Sequence, residues 1–335
     1  MPLRDVIGHS RLIGLLKRSV AGGTLPPSLL FAGPSGVGKR KTAVALAQAL
    51  NCLTPCDGDA CGECAACRRI ARGVHPDVGI IEPVETGVIR TDQVRLFIER
   101  ATYRPFEGNR RVVIIDDADT LMEQAQNALL KTLEEPSASS AFILVTARPD
   151  VLLPTVRSRC PQLRFRPLST EEIGAALIAH GMSGHEARAI AATANGSLGD
   201  ALAAAGGEHL EARDIAQKVL LNAARSPDPA QRIEAAKDLL TRIGGAGAAA
   251  DREQLSSYLR AMASLLRDVE ILATGADPAA LANADARPAL ERLVPSYRRD
   301  RGISAFAAVD RALVALAPPR NAGVKIVADW VVLQL

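Results

Sequence analysis

A glycine-rich segment at residues 33–40, GPSGVGKR, constrains the fold of this chain more than any other feature. It fits the pattern G-x-x-x-x-G-K, in which backbone N–H groups cradle phosphates and the lysine neutralises them. The apolar run before it, residues 28–32, favours a short strand, and residues 41–50 carry apolar side chains at helical spacing. We therefore predict a strand, a phosphate loop and a helix in succession, within a parallel sheet that is covered by helices.

The phosphate loop departs from the usual pattern at its last position. The residue after Lys39 is ordinarily Ser or Thr, whose hydroxyl ligates Mg²⁺, and here it is Arg40. Arginine has only donors and a fixed positive charge, so it cannot ligate a cation. Thr42 comes two residues too late and projects from a different part of the helix. The chain has the scaffold of an ATPase without a part that hydrolysis needs, which indicates a subunit that assists other ATPases.

Two further buried strands are predicted at residues 111–115 and 141–146, which are apolar and rich in β-branched side chains. The first ends at Asp116 and Asp117, so carboxylates lie at the edge of the sheet where ligands bind. Asp116 matches the position that holds Mg²⁺, and Asp117 is one methylene shorter than the usual water-orienting Glu. The predicted nucleotide site consists of Gly33, Gly36, Gly38, Lys39, Asp116 and Asp117. The pattern leaves open whether this site binds ATP without turnover.

Five of the six cysteines lie between residues 52 and 67. Cys52, Cys61, Cys64 and Cys67 follow the spacing C-x(8)-C-x(2)-C-x(2)-C, in which two C-x-x-C steps bring thiolates together. Four thiolates without a histidine favour a structural zinc ion with no open coordination position. Cys56 is a spare that could replace Cys52 as the fourth ligand, and the spacing alone leaves both choices open.

Composition limits the remaining possibilities. At 335 residues and 48% apolar content, the chain is long enough for two or three domains with ample cores. A net charge of +3 neither demands nor excludes a polyanionic partner. Residues 1–5 carry no apolar signal segment, and no run approaches the roughly 18 uncharged apolar residues of a membrane span. We therefore expect a soluble, cytoplasmic protein without a membrane partner.

Three domains are predicted along the chain. Residues 1–166 form the α/β domain, with the cysteines at residues 52–67 as an insertion. At residues 169–172 the sequence STEE is typical of a helix start, and a small helical domain is predicted over residues 167–206. Gly206 and Gly207 form the predicted hinge, and residues 207–335 form an all-helical C-terminal domain.

With these motifs identified, the whole chain resembles the bacterial clamp-loader subunits of the AAA+ class. The resemblance is carried by residues 127–136 (NALLKTLEEP), by the cysteines inserted after the loop helix, and by Ser158-Arg159-Cys160. It implies an AAA+ P-loop domain, a helical lid domain and a helical collar domain through which subunits assemble. It also implies that Cys52 is the fourth zinc ligand rather than Cys56.

The resemblance further implies a role for Arg159. In this family the arginine of the Ser-Arg-Cys segment acts as a finger that reaches the ATP bound by the neighbouring subunit, where a guanidinium offsets the charge that develops on the γ-phosphate. Thr146 lies near the first sensor position and is thereby included in the predicted nucleotide site, whereas the second sensor arginine of the motor subunits is replaced by Gly199. The resemblance thus implies a non-hydrolysing stator with a trans-acting arginine finger.

The implied partners are other clamp-loader subunits in a hetero-oligomer and, through that assembly, the sliding clamp and primed DNA. One alternative is an active ATPase of the motor type that tolerates Arg40. A second alternative is a zinc-bearing DNA-binding module, and the net charge of +3 argues against it.

Overall fold

The computed structural model describes residues 1–84, 87–205, 208–225, 228–240, 243, 248–277, 281–283, 286–298, 300–316 and 320–335. The chain divides into two compact units. The first comprises Met1–Val84, Val88–Glu172 and Gly196–Gly199, and most of the second comprises Ile173–Asn195 and Asp200–Leu335. The division into three domains stays a prediction, and its predicted hinge at Gly206 and Gly207 lies outside the described residues.

The first unit is built on a five-stranded sheet whose observed pairings are all parallel. The strands are β1 (Ser28–Ala32), β2 (Val78–Ile81), β3 (Arg111–Ile115), β4 (Ser140–Thr146) and β5 (Gln162–Arg164). Their order across the sheet is β2-β3-β4-β1-β5. The three interior strands are apolar and buried almost throughout, as expected of parallel strands covered on both faces.

Helices pack on both faces of this sheet. The helices of the first unit are α1 (Ser10–Ala21), α2 (Lys39–Asn51), α3 (Ala65–Ala71), α4 (Thr91–Ala101), α5 (Glu123–Glu134) and α6 (Pro154–Arg157). Alternate residues of β1 enter different cores, because successive side chains of a strand point to opposite faces. Phe31 packs in a core with Leu46 of α2, and Leu30 packs in another with Leu129 of α5.

The rest of the chain is helical. The helices are α7 (Thr170–Ala179), α8 (Gly184–Thr193), α9 (Leu198–Ala205), α10 (Glu208–Arg225), α11 (Pro229–Leu240), α12 (Ala248–Thr274), α13 (Arg287–Tyr297), α14 (Asp300–Leu316) and α15 (Val324–Gln334). A single core joins α10 to α15. In the described part of the chain, no helix combines the length and the apolar character that crossing a bilayer requires. The predicted fold class, an α/β P-loop domain followed by helical regions, is confirmed.

The predicted helix start at residues 169–172 is a capping box. Ser169 Oγ accepts the N–H of Glu172 at 3.1 Å, and the N–H of Ser169 donates to Oε2 of Glu172 at 2.8 Å. These two bonds satisfy donors that the first turn of α7 would otherwise leave unpaired.

Candidate functional site

The phosphate loop joins β1 to α2. Gly36 and Gly38 take φ angles of 73° and 95°, which glycine adopts without the strain that a Cβ would cause. A Cβ at Gly36 would also collide with the side chain of Ser197, and one at Gly33 would collide with the backbone of Phe165. The loop therefore needs glycine for both conformation and space.

Lys39 is the first residue of α2, and its ammonium group is bonded to the loop itself. Nζ donates to the carbonyl oxygens of Gly33 at 2.7 Å and Pro34 at 2.6 Å. Burial lowers the pKa of Lys39, and the nearby carboxylates of Asp117 and Asp116 oppose this effect. The lysine that would neutralise phosphates is thus already held by carbonyl groups of its own loop.

Arg40 extends to two acidic side chains at the carboxyl edge of the sheet. Its Nη1 lies 3.3 Å from Oδ2 of Asp116, which follows β3, and its Nη2 is ion-paired with Glu82, which follows β2. Burial raises the pKa of Asp116, and the charge of Arg40 counters that rise. The guanidinium therefore stands beside the carboxylate that the sequence pattern assigns to Mg²⁺.

Asp117 adopts a left-handed backbone conformation, with φ 48° and ψ 49°, which Asp and Asn tolerate better than most residues. Its side chain is exposed overall. Partial burial of the carboxyl group, together with the charges of Asp116 and Asp119, nevertheless raises the pKa of Asp117 to about 6. The carboxylates of Asp116, Asp117 and Asp119 therefore lie close enough together to affect one another's protonation.

The hydroxyl of Thr146 at the end of β4 is also engaged. Thr146 Oγ1 donates to Oδ1 of Asp119 at 2.8 Å. Arg148 donates from Nε to Oδ2 of Asp119 at 3.0 Å, and its backbone N–H donates to Thr146 Oγ1 at 3.0 Å. Asp119 and Arg148 were not predicted as site residues. Their only sequence signal is that each is a charged residue close to a predicted site residue: Asp119 follows Asp116 by three positions, and Arg148 follows Thr146 by two.

Gly199, which is predicted to take the second sensor position, lies directly on the phosphate loop. Its N–H donates to the carbonyl oxygen of Gly36 at 3.0 Å. A Cβ at position 199 would lie 3.1 Å from the Cα of Gly36, closer than such contacts ordinarily are. In this conformation the loop leaves little room for a side chain at position 199.

Arg159 lies between α6 and β5. Its Nη2 is ion-paired with Glu134, and its Nη1 donates to the carbonyl oxygen of Thr155 at 2.9 Å. The next residue, Cys160, is buried, and burial raises the pKa of its thiol to about 12. The segment thus combines a buried anchor with an arginine that is partly exposed.

The four cysteines of the predicted metal site converge. The Sγ atoms of Cys52, Cys61, Cys64 and Cys67 all lie within 4.8 Å of one another. Zinc bound to four sulfurs at about 2.3 Å separates them by about 3.8 Å, so a small contraction would complete a tetrahedron. A hydrogen bond from Thr54 and backbone N–H groups of Cys64 and Glu63 lower the pKa of Cys61 to about 6, which favours the ligating thiolate. The donor set fits zinc.

Cys56 lies outside this group of four sulfurs and is exposed. Its neighbour Asp59 ties the cysteine segment to the start of the chain. The buried Asp59 carboxylate accepts the N–H groups of Leu3 at 2.8 Å, Arg4 at 3.0 Å and Ala60 at 2.8 Å. The cysteine segment is therefore held by hydrogen bonds that do not depend on a metal.

The parallel sheet with its phosphate loop, the cysteine insertion and the helical C-terminal regions together make up a P-loop fold. Residues 8–169 match the family model described as DNA polymerase III, delta subunit. The resemblance of this chain to bacterial clamp-loader subunits, the delta-prime subunit of DNA polymerase III in particular, is thereby confirmed.

Several relatives support this resemblance. The chain is 44% identical over 134 residues to the DNA polymerase III subunit delta' of Pseudomonas aeruginosa, a match that covers 40% of this chain and 41% of the relative. It is 35% identical over 185 residues to subunit delta' of Bacillus subtilis, covering 55% and 56% of the two chains. It is 36% identical over 204 residues to subunit tau of Salmonella typhimurium, a match that covers 59% of this chain and 32% of that subunit. The chain spans about half the length of these relatives or less.

A solved structure supports the fold. A DNA polymerase III gamma subunit-related protein from Thermotoga maritima superposes with a TM-score of 0.51 at 16% identity, covering 95% of this chain and 96% of that one. At this level of identity the likeness concerns the fold.

Proposed function

We propose that this chain is a non-hydrolysing, delta-prime-like subunit of the replicative DNA polymerase III clamp loader. It acts as a stator and supplies Arg159 in trans to the ATP site of a neighbouring subunit while the sliding clamp is loaded on primed DNA. The observation that carries the proposal is the ion pair between Arg40 and Asp116, 3.3 Å apart, in a chain that retains Arg159.

The proposal explains the chemistry of the chain's own site. Hydrolysis of ATP needs a Mg²⁺ ion held by the loop hydroxyl and a carboxylate, and a group that orients water. Here Arg40 replaces the hydroxyl and pairs with Asp116. Asp117 is shorter than the usual Glu, and Gly199 cannot neutralise a phosphate. The three departures affect different parts of the reaction, so they reinforce one another.

As a catalytic group, Arg159 has a use in such a chain only if it acts on another subunit, because its own site lacks the parts that turnover requires. A guanidinium with two donors in one plane can bridge phosphate oxygens as negative charge develops. The side chain is 30% exposed and its partner Glu134 is 48% exposed, so a neighbouring molecule has access to the pair.

The cysteine cluster takes one structural zinc ion through Cys52, Cys61, Cys64 and Cys67. The site has four protein ligands and no position for substrate, so it stabilises its segment and does not catalyse. The C-terminal domain predicted over residues 207–335 joins a collar with subunits of the gamma or tau type and of the delta type. The assembly works in the cytoplasm, and the chain meets the clamp and DNA as part of that hetero-oligomer.

The test is reconstitution of the loader with Arg159→Ala. We expect a variant that assembles normally, while turnover at the site it serves falls by about 10³-fold or more. Arg159→Lys should also fail, because an ammonium lacks the planar fork that spans two phosphate oxygens. Arg157→Ala, which removes an exposed arginine two residues away on α6, is the matched control. Normal turnover and clamp loading with Arg159→Ala would contradict the finger role.

An active ATPase of the gamma or tau type is the second candidate. The match to subunit tau, which is longer than the match to either delta' relative, and the presence of Lys39 favour it. Steady-state turnover by the isolated chain separates the two candidates. A rate of about 1 per second or more, in a preparation free of contaminating ATPases, would establish the active enzyme.

A further inference from the structure

Glu82 and Asp116 occupy equivalent positions at the ends of neighbouring strands. β2 and β3 are paired in parallel with Ile81 opposite Ile115, and each acidic residue comes one position later. The N–H of Asp116 donates to the carbonyl oxygen of Ile81 at 2.9 Å, which continues the pairing to this level. The two carboxylates therefore emerge side by side at the carboxyl edge of the sheet.

The guanidinium of Arg40 contacts both carboxylates. Nη1 lies 3.3 Å from Asp116, and Nη2 is ion-paired with Glu82. Two adjacent carboxylates repel one another unless a positive charge lies between them. In a working phosphate loop that charge is a divalent cation, which the residue at position 40 helps to ligate through its hydroxyl. Here the same residue provides the charge itself.

The other basic groups of the site are already engaged. Lys39 donates to two loop carbonyls, and Arg148 is paired with Asp119. Among these three side chains, Arg40 is therefore the one that is ion-paired with both Asp116 and Glu82. A divalent ion beside Asp116 would have to displace the guanidinium or lie next to it, and like charges at such short range disfavour each other.

We propose that Arg40 is a fixed substitute for the divalent cation of this site. The wild-type site excludes Mg²⁺ because its carboxylates are neutralised from within the chain, and removal of the guanidinium converts the same residues into a Mg²⁺ site. This is a property of the isolated chain, and it stands or falls independently of any role in a clamp loader.

The test measures Mn²⁺ uptake by electron paramagnetic resonance on the isolated full chain, since Mn²⁺ shares the oxygen preference of Mg²⁺ and is a poor match for the cysteine sulfurs. Arg40→Thr restores the ordinary hydroxyl and frees both carboxylates. We expect this variant to bind one Mn²⁺ at least tenfold more tightly than the wild type. Arg40→Ala frees the carboxylates without adding a ligand and should show a smaller gain.

Three further variants test whether the positive charge of residue 40 excludes the ion and whether Asp116 binds it. Arg40→Lys keeps the positive charge and should remain as resistant to Mn²⁺ as the wild type. Adding Asp116→Asn to Arg40→Thr should abolish the gain, because the principal oxygen ligand is lost. Arg287→Thr removes an exposed arginine of the second unit that is paired with Glu291, and it should bind Mn²⁺ no better than the wild type.

Thermal unfolding provides a second readout, because a cation that binds only the folded state raises the midpoint of unfolding. Mg²⁺ should raise the midpoint of Arg40→Thr relative to EDTA and leave that of the wild type unchanged. The proposal is overturned if the wild type binds Mn²⁺ within twofold of the Arg40→Thr affinity. It is equally overturned if folded Arg40→Thr and Arg40→Ala take up no Mn²⁺ beyond the wild-type level.

Discussion

The guanidinium of Arg159 is ion-paired with the carboxylate of Glu134, the last residue of α5. A second bond, from Nη1 to the carbonyl oxygen of Thr155 at 2.9 Å, holds the side chain against α6. In the proposed assembly Arg159 must reach a phosphate on another subunit, so the pair with Glu134 competes with that contact.

We predict that Glu134→Gln raises the ATPase rate of the reconstituted loader, because it weakens the competing pair inside the chain. An exposed ion pair contributes about 1 kcal/mol at most, so the gain should not exceed about fivefold. Turnover at a fixed, subsaturating ATP concentration is the measurement. Glu135→Gln alters the adjacent exposed carboxylate and serves as control. The double variant with Arg159→Ala should match Arg159→Ala alone. A loss of turnover in Glu134→Gln as large as that of Arg159→Ala would show that Glu134 is itself required.

Arg40→Thr should not by itself produce an ATPase. The substitution supplies the missing hydroxyl, but Asp117 and Gly199 remain, and each affects a separate part of the reaction. We expect turnover of the isolated variant to stay well below about 1 per second, measured by phosphate release. A rate at or above that level would mean that the loop hydroxyl was the only missing part.

The cysteine cluster should hold one zinc ion. Replacing a cysteine of the cluster should release this ion, whereas replacing Cys56 should not. Cys64→Ser removes one of the four converging sulfurs and should lower the zinc content measured by mass spectrometry to near zero. Cys56→Ser alters an exposed cysteine outside the cluster and should retain the metal. Full zinc retention in Cys64→Ser would contradict the assignment of ligands.

Chelation should loosen the cysteine segment without unfolding the protein. The large apolar cores on the two faces of the sheet do not include the four clustered cysteines, and Asp59 holds the segment to the start of the chain through the backbone N–H groups of Leu3 and Arg4. Hydrogen exchange should therefore accelerate over residues 52–67, while the strands of the sheet stay protected. Loss of protection in β3 and β4 after chelation would show that the metal supports the whole unit.

Asp117 should make the stability of the first unit depend on pH. Its pKa is about 6 in the folded protein and about 4 in an unfolded chain, so the unfolded chain holds fewer protons between these values. The free energy of unfolding therefore falls as the pH rises through this window. Asp117→Asn should remove the penalty above pH 6 and have no effect through this group near pH 4. Because the side chain is exposed, the gain should be less than about 1 kcal/mol.

Denaturant titrations of wild type and Asp117→Asn at several pH values between 4 and 8 provide the measurement. Asparagine suits the left-handed conformation of this residue, so the substitution leaves the backbone unstrained. A stability difference that does not grow between pH 4 and pH 7 would contradict the prediction.

The parts of the fold that sequence predicted well are those with strong local signals. The predicted strands at residues 28–32 and 111–115 coincide with β1 and β3, and the predicted strand at 141–146 differs from β4 by one residue. Long apolar, β-branched runs next to a glycine loop leave few alternatives. The edge strands β2 and β5 were not predicted, because they have four and three residues and their pairing partners lie far along the chain.

The candidate site shows the same difference between residues with a strong local sequence signal and residues that depend on distant contacts. Residues that match a motif could be identified, including Lys39, Asp116 and the four cysteines. Their partners could not, because Glu82 and Asp119 carry no motif and become neighbours of Arg40 and Thr146 only when the strands align. That Arg40 is unable to ligate a cation follows from its chemistry, whereas its contact with Asp116 required the geometry.

The hydrogen bond between Gly199 and Gly36 has a consequence for how the chain folds during synthesis. Residues 1–172 supply the sheet and nearly all of the first unit, but the unit is completed by residues 196–199, which follow a stretch that belongs to the second unit. Domains generally fold as units from the N-terminus while the ribosome is still adding residues. The carbonyl of Gly36 would then stay open to water until some thirty further residues had been added, which takes about 1.5 to 6 seconds at the usual rate of about 5–20 residues per second. During that interval the nascent chain presents a phosphate loop that lacks its hydrogen bond from Gly199.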